Sequence, residues 1–423
     1  VLFLAALPGV FIKVRYAGLL YRWRLEKTPT ERLAHTYDWM LTTMQYAKEL
    51  RLFALGRHFR ERYRELRKTL REERIGLALR RAGGELLTQA VSVLAVFGSF
   101  ALIAYRTLQG VITLGDMVMY YQAFQRGLGY LQNLLGGLAT LYEHSLYFSN
   151  LEEFLQLERR VADPSRPRPL PPTLREGLRF ERVSFRYPDA AGEAVKEFDL
   201  TVRAGETLAL VGENGSGKTT LAKLLCRLYD PTEGRITADG IDIRHFRLLD
   251  WRRRITTLSQ DFSRYPLTAR ENIHLGDLEQ PDEEGAIASA ARAAGADEVL
   301  AGLPRGYESP LGRWFEQGVE LSAGQWQKVA LARTFFRSAE IAVLDEPSSM
   351  LDPAAEAKLL EELRRWLRGR TALVISHRFT TVLLADRVAL LEKGRLTAVG
   401  THEQLLRENE TYAGMVRAQT LPG

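Results

Sequence analysis

Apolar and polar residues alternate in long blocks over the first 160 residues of the chain. Residues 1–12 carry no charge, residues 21–81 are polar and basic with apolar side chains at helical spacing, and residues 86–105 are uncharged again. A helix needs about 20 apolar residues to cross a bilayer, so residues 86–105 are long enough and residues 1–12 are not. We interpret residues 1–12 either as the cut end of a longer membrane helix in a larger protein or as a core helix.

A third apolar stretch, residues 117–138, is a weaker candidate for a membrane helix. Gln125, Arg126 and several glycines interrupt it. An ionised residue at that depth faces a bundle interior or an aqueous path, or else it lies near the interface, and both interpretations stay open. With three crossings, the basic stretch and everything after Glu143 would lie on the cytoplasmic side, in agreement with the positive-inside rule.

The basic character of the chain is local. Residues 13–81 hold 18 Lys and Arg against eight Asp and Glu, whereas the whole chain carries a net charge of only +6, so the remainder is net acidic. This distribution argues against a nucleic-acid-binding surface spread over the protein. Long cytoplasmic helices fit residues 21–81, and a solvated coiled coil is the alternative. The single cysteine, Cys226, excludes an intrachain disulfide framework.

A proline-rich segment separates this helical region from the rest of the chain. Residues 161–177 contain five prolines, which is typical of an extended linker. Beyond it, short strands, glycine turns and helices alternate to the end, which predicts an α/β nucleotide-binding domain. We therefore expect three parts: an all-α region at 1–160, a linker at 161–177 and an α/β domain at 178–423.

Residues 212–219 fit the phosphate-binding pattern G-x-x-x-x-G-K-[ST]. An apolar strand is predicted just before them and a helix just after, which is the context that this loop requires. The glycines allow backbone N–H groups to surround phosphate oxygens, Lys218 can reach the β- and γ-phosphates, and the Thr219 hydroxyl can bind Mg²⁺. The predicted nucleotide-binding residues here are Gly212, Glu213, Asn214, Gly215, Ser216, Gly217, Lys218, Thr219 and Thr220.

An apolar strand predicted at residues 341–344 ends in two carboxylates, Asp345 and Glu346. In a P-loop ATPase the first of such a pair orients Mg²⁺ and the second is placed to activate the attacking water. The two motifs together predict ATP and Mg²⁺ as ligands and ATP hydrolysis as the reaction.

Residues 321–325, Leu-Ser-Ala-Gly-Gln, resemble the LSGGQ signature of the ABC (ATP-binding cassette) ATPases. Further positions match that family's pattern in order from 178 to about 415. The resemblance implies that Tyr187 stacks on adenine, that Gln260 is the Q-loop glutamine beside Mg²⁺, and that His377 is the switch histidine. It also assigns Ser322, Gly324 and Gln325 to nucleotide binding. Two departures from the pattern are Ala323 in the signature and Met350 in the following D-loop.

The helical region before the cassette resembles the second half of an ABC exporter membrane domain, with residues 46–53 similar to a coupling-helix region. The expected fold is thus an ABC cassette with a helical subdomain, preceded by an incomplete all-α membrane and cytoplasmic domain. The resemblance implies a second half-transporter chain as partner, with each ATP held between one chain's P-loop and the other's signature. It implies a multi-pass protein of the plasma or inner membrane that exports a substrate, with no nucleic-acid partner. The alternative is a soluble ABC ATPase acting on DNA or ribosomes.

Overall fold

The chain divides into two units, Val1–Glu158 and Arg159–Gly423, in the computed structural model. The structure describes residues 2–281, 283–313 and 316–420. Val1, the first residue of the opening apolar run, therefore lies outside the described residues. Each unit is considered by itself.

The described part of the first unit is helical, as predicted. Its helices are α1 (Leu2–Thr42), α2 (Met44–Leu52), α3 (Gly56–Leu108) and α4 (Leu114–Leu155). The 53 residues of α3 give a length of about 80 Å at ~1.5 Å per residue, far beyond the helices of ordinary globular domains.

Polar contacts tie α1 to both of its long neighbours. The indole of Trp23 and the ammonium of Lys27 each donate to the carboxylate of Glu73 on α3, at 2.8 Å. Toward α4, the Tyr21 hydroxyl donates to Asn150 at 2.8 Å. Because these bonds join residues far apart in sequence, they fix the register in which the helices pack.

The segment that resembles a coupling-helix region lies on the short helix α2. Thr43 has an extended backbone (φ −96°, ψ 148°) before it, and Ala54 adopts a left-handed φ of 51° after it. None of the nine α2 residues is buried within the unit, and Leu52 is 80% exposed. Within this unit the helix therefore presents an exposed, partly apolar surface.

Among the described residues, one helix is long and apolar enough to cross a membrane, namely α3. Its second half contains the uncharged run at residues 86–105, where large apolar side chains such as Leu94 and Phe97 are exposed. The weaker candidate at residues 117–138 is helical within α4, but α4 does not meet the same test of length and composition.

The second unit is an α/β domain, as predicted. Its strands are β1 (Gly177–Phe185), β2 (Val195–Arg203), β3 (Thr207–Val211), β4 (Glu233–Ala238), β5 (Ile241–Asp242), β6 (Ile255–Leu258), β7 (Ile341–Asp345), β8 (Thr371–Ile375), β9 (Arg387–Glu392) and β10 (Arg395–Gly400). Its helices are α5 (Lys218–Leu225), α6 (Leu248–Arg253), α7 (Ala269–His274), α8 (Glu284–Ala293), α9 (Asp297–Ala301), α10 (Ala323–Phe336), α11 (Pro353–Leu367), α12 (Phe379–Val382), α13 (His402–Glu408) and α14 (Glu410–Thr420).

Two sheets organise the second unit. The four-stranded antiparallel sheet has the order β2-β1-β4-β5, and the six-stranded sheet has the order β10-β9-β3-β8-β7-β6. In the larger sheet β9, β3, β8, β7 and β6 run parallel, and only β10 is antiparallel. The carboxyl ends of parallel strands meet at one edge, where α/β proteins bind ligands. The segments after β3, β6, β7 and β8 carry the sequence motifs, so this edge is the expected site.

Two main cores lie on either side of the larger sheet. The first core lies between the two sheets and includes Trp251, which is 1% exposed. The second core lies on the far face of the larger sheet and includes Trp326, which is 2% exposed. The helices that contribute to it are α7, α8, α9, α10 and α11. The helices on this face agree with the helical subdomain expected of the cassette. Cys226 packs against the first core, and burial raises the pKa of its thiol to about 12, so the thiol stays protonated at neutral pH.

Leu210, in the middle of β3, supports the strand from which the phosphate loop departs, and its side chain is fully buried. Replacing it with alanine leaves a cavity, so Leu210→Ala should lower the free energy of unfolding of the second unit by about 2–5 kcal/mol. Pulse proteolysis of the full chain across a urea gradient measures this loss. The matched control is Leu249→Ala, which removes a side chain that is 54% exposed. Equal losses in the two variants would contradict this assignment of the core.

Candidate functional site

The loop between β3 and α5 adopts a backbone that only glycine tolerates. Gly212 has φ 153° and Gly217 has φ 104°. A Cβ on Gly212 would lie 2.1 Å from the Leu391 carbonyl oxygen, and one on Gly217 would lie 2.6 Å from that of Ala194. No side chain caps α5, whose N-cap residue is Gly217, so the N–H groups of its first turn are available to an anion.

Lys218 folds back over this loop. Its Nζ donates to the carbonyl oxygens of Gly212 and Glu213 at 2.7 and 2.8 Å, and lies 3.4 Å from the Ser216 hydroxyl. Burial lowers its pKa, whereas the carboxylates of Asp345 and Glu346 act in the opposite direction. The ammonium group therefore closes the phosphate cradle and sits where a β- or γ-phosphate would compete for it.

A hydroxyl and a carboxylate meet below the loop. The Thr219 hydroxyl donates to Oδ2 of Asp345 at 2.9 Å, and Asp345 is 5% exposed at the end of β7. Burial raises the pKa of Asp345, although the Thr219 hydrogen bond and Lys218 act to lower it. Oxygen donors of this kind suit Mg²⁺. The described residues contain no group of three or more His, Cys, Asp or Glu able to hold a metal, so Mg²⁺ here would also need phosphate oxygens and water.

Glu346 and His377 form the second polar pair of the site. Oε1 of Glu346 lies 2.7 Å from Nδ1 of His377, and the Glu346 N–H donates to the carbonyl of Ile375 at 2.8 Å. Glu346 has a left-handed φ of 52°, a conformation that costs about 1–3 kcal/mol in a residue other than glycine. The parallel pairing of β7 with β8 thus brings a carboxylate and an imidazole together beside the phosphate loop.

Tyr187 follows β1 and lies in an aromatic group with Phe185 and Tyr229, whose ring centroids are 4.9 and 5.3 Å away. Its hydroxyl lies 3.2 Å from that of Thr220, and Lys223 Nζ lies 5.7 Å from the ring centroid. The ring is half-buried, so one part of it is available for stacking.

A cleft of about 530 Å³ joins most of these groups. That volume is typical of a small-molecule site. Its lining includes the predicted residues Tyr187, Asn214, Gly215, Gly217, Lys218, Thr219, Thr220, Gln260, Asp345 and Glu346. Gly212, Glu213 and Ser216 complete the phosphate loop without lining the cleft, and His377 contacts it through Glu346.

The signature residues lie elsewhere. Ser322 is the N-cap of α10: its hydroxyl accepts from the N–H of Gln325 at 3.3 Å, and the Gln325 side chain accepts from the N–H of Ser322 at 2.8 Å. This capping box gives the Gln325 side chain a structural use. Gly324 is confined by the Met350 carbonyl, which would lie 2.8 Å from a Cβ. None of Ser322, Gly324 and Gln325 lines the cleft.

Sequence reasoning missed two glutamines that support the site. Gln327, 2% exposed, donates to the Glu346 carbonyl at 3.1 Å and accepts from the Met350 N–H at 3.0 Å. Gln419 on α14 donates to the His377 carbonyl and accepts from the Phe379 N–H at 3.3 Å. In the sequence, the only sign of a role for Gln327 is a polar amide among the apolar positions of a helix. The sequence around Gln419 gives no such sign.

Residues 195–349 match the sequence model of the ABC transporter family. The chain is 30% identical to the subtilin transport ATP-binding protein SpaT of Bacillus subtilis, over 96% of this chain and 65% of that protein. It is 32% identical to an ATP-dependent lipid A-core flippase of Chromohalobacter salexigens, over 99% of this chain and 71% of that protein. The chain thus spans about two thirds of the length of these relatives.

A solved structure described as a bacterial Atm1-family ABC exporter with ATP bound is also similar. It superposes on all of this chain with a TM-score of 0.83 and 28% identity, and the match covers 73% of that chain. The predicted fold class is confirmed by this match. The alternative of a soluble ATPase acting on DNA or ribosomes has no support among these proteins.

Gly217→Ala tests the phosphate cradle. The added Cβ would lie 2.6 Å from the Ala194 carbonyl oxygen at a φ of 104°. The loop must therefore distort, at a free-energy cost of about 1–3 kcal/mol. We expect ATP affinity, measured with a fluorescent nucleotide analogue, to fall by about 5- to 150-fold. Gly192→Ala is the control, since a Cβ there meets nothing within 4 Å. Unchanged affinity in Gly217→Ala would remove this loop from the nucleotide site.

Proposed function

Because the chain belongs to the ABC transporter family, we propose that it binds and hydrolyses ATP to drive export of a substrate across a membrane. The observation that carries the proposal is the arrangement at the carboxyl edge of the parallel sheet. There a phosphate cradle, the Thr219–Asp345 pair and the Glu346–His377 pair line or contact one cleft. The exporter-like relatives and structural match support the transport half of the proposal.

The residues of the cleft have distinct roles in the proposed reaction. Lys218 and the N–H groups of the loop hold the β- and γ-phosphates and offset the charge that develops on them. Glu346 accepts a proton from the attacking water, and His377 orients the Glu346 carboxylate through their 2.7 Å contact. Tyr187 provides a ring on which adenine stacks.

The oxygens of Thr219, Asp345 and Gln260 would hold Mg²⁺. The fit rests on the hydroxyl–carboxylate pair at 2.9 Å and on the position of Gln260 in the lining of the same cleft. When bound, Mg²⁺ would neutralise part of the phosphate charge. The burial of Asp345 excludes water that would otherwise screen that interaction.

A second chain completes each site in our proposal. Ser322 and Gly324 stand at the exposed N-terminal end of the 14-residue helix α10, away from the cleft of their own chain. Such a helix end favours phosphate. In a head-to-tail dimer, this end would face the γ-phosphate bound by the partner, as the resemblance to the signature implies.

The first unit is proposed to be a multi-pass membrane domain, with the second unit on the cytoplasmic side of the plasma or inner membrane. Exposed apolar residues in the second half of α3 support contact with lipid, and the basic residues 13–81 support a cytoplasmic position for α2. The proposed boundaries are residues 1–160 for this domain, 161–177 for the linker and 178–423 for the cassette. Helix α2, with its exposed Leu52, would transmit closure of the cassettes to the membrane helices.

The relatives suggest which substrates to test. One is named for lipid A-core and another for subtilin transport. We propose that the substrate belongs to one of these classes, and that lipid A-core and subtilin are the first probes. The experiment measures ATP-dependent uptake of lipid A-core, and separately of subtilin, into inside-out vesicles that contain the protein.

Glu346→Gln tests the proposed base. The amide keeps the size of the side chain but cannot accept a proton from water, so the rate of hydrolysis should fall by about 10²–10⁴-fold. ATP affinity should stay within about twofold, because Glu346 is not part of the phosphate cradle. ATPase assays and nucleotide binding on the protein in liposomes separate the two quantities.

The control for this change is Glu403→Gln, which alters an exposed side chain on α13 and should leave both quantities unchanged. Turnover at the wild-type rate in Glu346→Gln would show that another group activates the water. Loss of ATP affinity would instead assign Glu346 to binding.

A mixing experiment tests the shared site. Chains with Lys218→Ala and chains with Ser322→Asp should each be inactive alone. Aspartate can still cap α10, as serine does, but its charge would repel a phosphate. In a mixed dimer one composite site carries both defects and the other carries none, so ATPase activity should partly return in dimers purified through two different tags. No recovery would be expected if each chain used its own Ser322.

A further inference from the structure

A largely buried carboxylate, connected to the segments that carry Glu346 and His377, is not used by the proposed reaction. Glu356, on the first turn of α11, has a side chain that is 12% exposed. It accepts from Nη1 of Arg378 at 2.7 Å, from the Thr380 hydroxyl at 2.7 Å and from the Ser348 hydroxyl at 3.0 Å. Three donors from two separate segments of chain therefore converge on one carboxylate.

Arg378 makes a second contact, with the main chain near Glu346. Its Nη2 donates to the carbonyl of Ser349 at 3.0 Å. Arg378 directly follows His377, and Ser348 and Ser349 lie two and three residues after Glu346. The Glu356–Arg378 pair therefore fastens the segment that carries the imidazole to the segment that carries the proposed base.

The Ser348 side of this arrangement is shielded from water, whereas the Arg378 side chain is 30% exposed and Thr380 is exposed. Ser348 is 1% exposed and Thr381 is fully buried, and their hydroxyls lie 3.1 Å apart. Charge-assisted bonds are stronger than neutral ones, and loss of either partner would leave the other, partly shielded charge without its main partner.

Pairing of β7 with β8 does not by itself fix the positions of the Glu346 and His377 side chains. The last main-chain bond between the two segments joins the Glu346 N–H to the Ile375 carbonyl. At Glu346 the chain turns through a left-handed φ of 52° and leaves the sheet. From there the positions of the Glu346 and His377 side chains depend on what holds residues 347–349 and 376–381.

We propose that Glu356 and Arg378 are positioning residues that hold Glu346 and His377 in contact, and that they act as one unit. The proposal rests on the proposed role of Glu346 in hydrolysis. Neither residue lines the nucleotide cleft. Their loss should therefore reduce kcat without changing ATP affinity.

Glu356→Gln is the first test, made on the whole protein in liposomes. We expect kcat for ATP hydrolysis to fall by about 100-fold, as for a misplacement of about 1 Å, with the Kd for ATP within about twofold of wild type. The matched control on the same helix is Glu362→Gln, which removes the more exposed Glu362–Arg365 ion pair and should leave kcat unchanged. An unchanged kcat in Glu356→Gln, or a Kd that rises as much as kcat falls, would overturn the proposal.

Arg378→Lys is the second test and retains the positive charge. A single ammonium cannot serve both Glu356 and the Ser349 carbonyl with the geometry of the guanidinium, so an intermediate fall in kcat is expected. If Glu356→Gln does not fold, this variant decides the question: wild-type kcat in it would overturn the proposal. The double variant should be no slower than the slower single one, because the pair acts as a unit.

Combination with Glu346→Gln separates this proposal from the proposed function. If Glu346 is the base and Glu356 only positions it, Glu356→Gln should not slow the residual rate of Glu346→Gln further. A further 100-fold loss in that background would show that Glu356 acts elsewhere. Wild-type turnover in Glu346→Gln alone would refute the base assignment, while the effect of Glu356→Gln on kcat would still be measured independently.

Discussion

Parallel pairing of β3, β8, β7 and β6 is the constraint on which the site depends. Strands that run in one direction end at one edge, so four segments from distant parts of the chain meet there. The register is specific, since Leu344 of β7 pairs with Val374 of β8, and β3 pairs with β8 on its other side. A shift of one residue would separate Glu346 from His377 and Thr219 from Asp345. The buried, apolar strands thus set the positions of the polar side chains in the site.

Burial gives these polar groups their electrostatic character. Asp345 has a raised pKa and Lys218 a lowered pKa because both are removed from water. Each charge is partly offset by the other and by local hydrogen bonds, and the Lys218 ammonium rests on two loop carbonyls. A bound nucleotide with its cation would replace these internal contacts with stronger ones between full charges. Fixed dipoles and charges of this kind can favour a transition state because they need little rearrangement during the reaction.

The sequence was informative where function requires a contiguous motif. The phosphate loop and the Asp345–Glu346 pair are each contained within eight residues, so spacing predicted them, and residues 321–325 were identified by their resemblance to the ABC signature. Contacts between distant positions left no comparable signal: Gln419 bonds to the backbone around His377, and Glu356 bonds to Arg378, 22 residues away. The turn between α2 and α3 places its left-handed φ of 51° on Ala54 and not on the nearby Gly56, which begins α3, so residue type did not locate it. The fold class of both units was predictable because hydrophobic periodicity is local, whereas the residues that support the Glu346–His377 pair were not.

Ala323 and Met350, the two departures from the ABC family pattern, have little effect on the backbone around the start of α10. Ala323 is the first residue of α10 and its side chain is exposed, so its methyl group displaces no part of the chain. Gly324 is the constrained position, because the Met350 carbonyl lies against it. Met350 contributes that carbonyl and the N–H that Gln327 accepts, and its side chain is 42% exposed. Residue 350 thus acts through its main chain, which any amino acid other than proline can supply. Both changes preserve the close approach of residue 350 to the start of α10, so the proposed sharing of this helix end with a partner chain does not depend on either side chain.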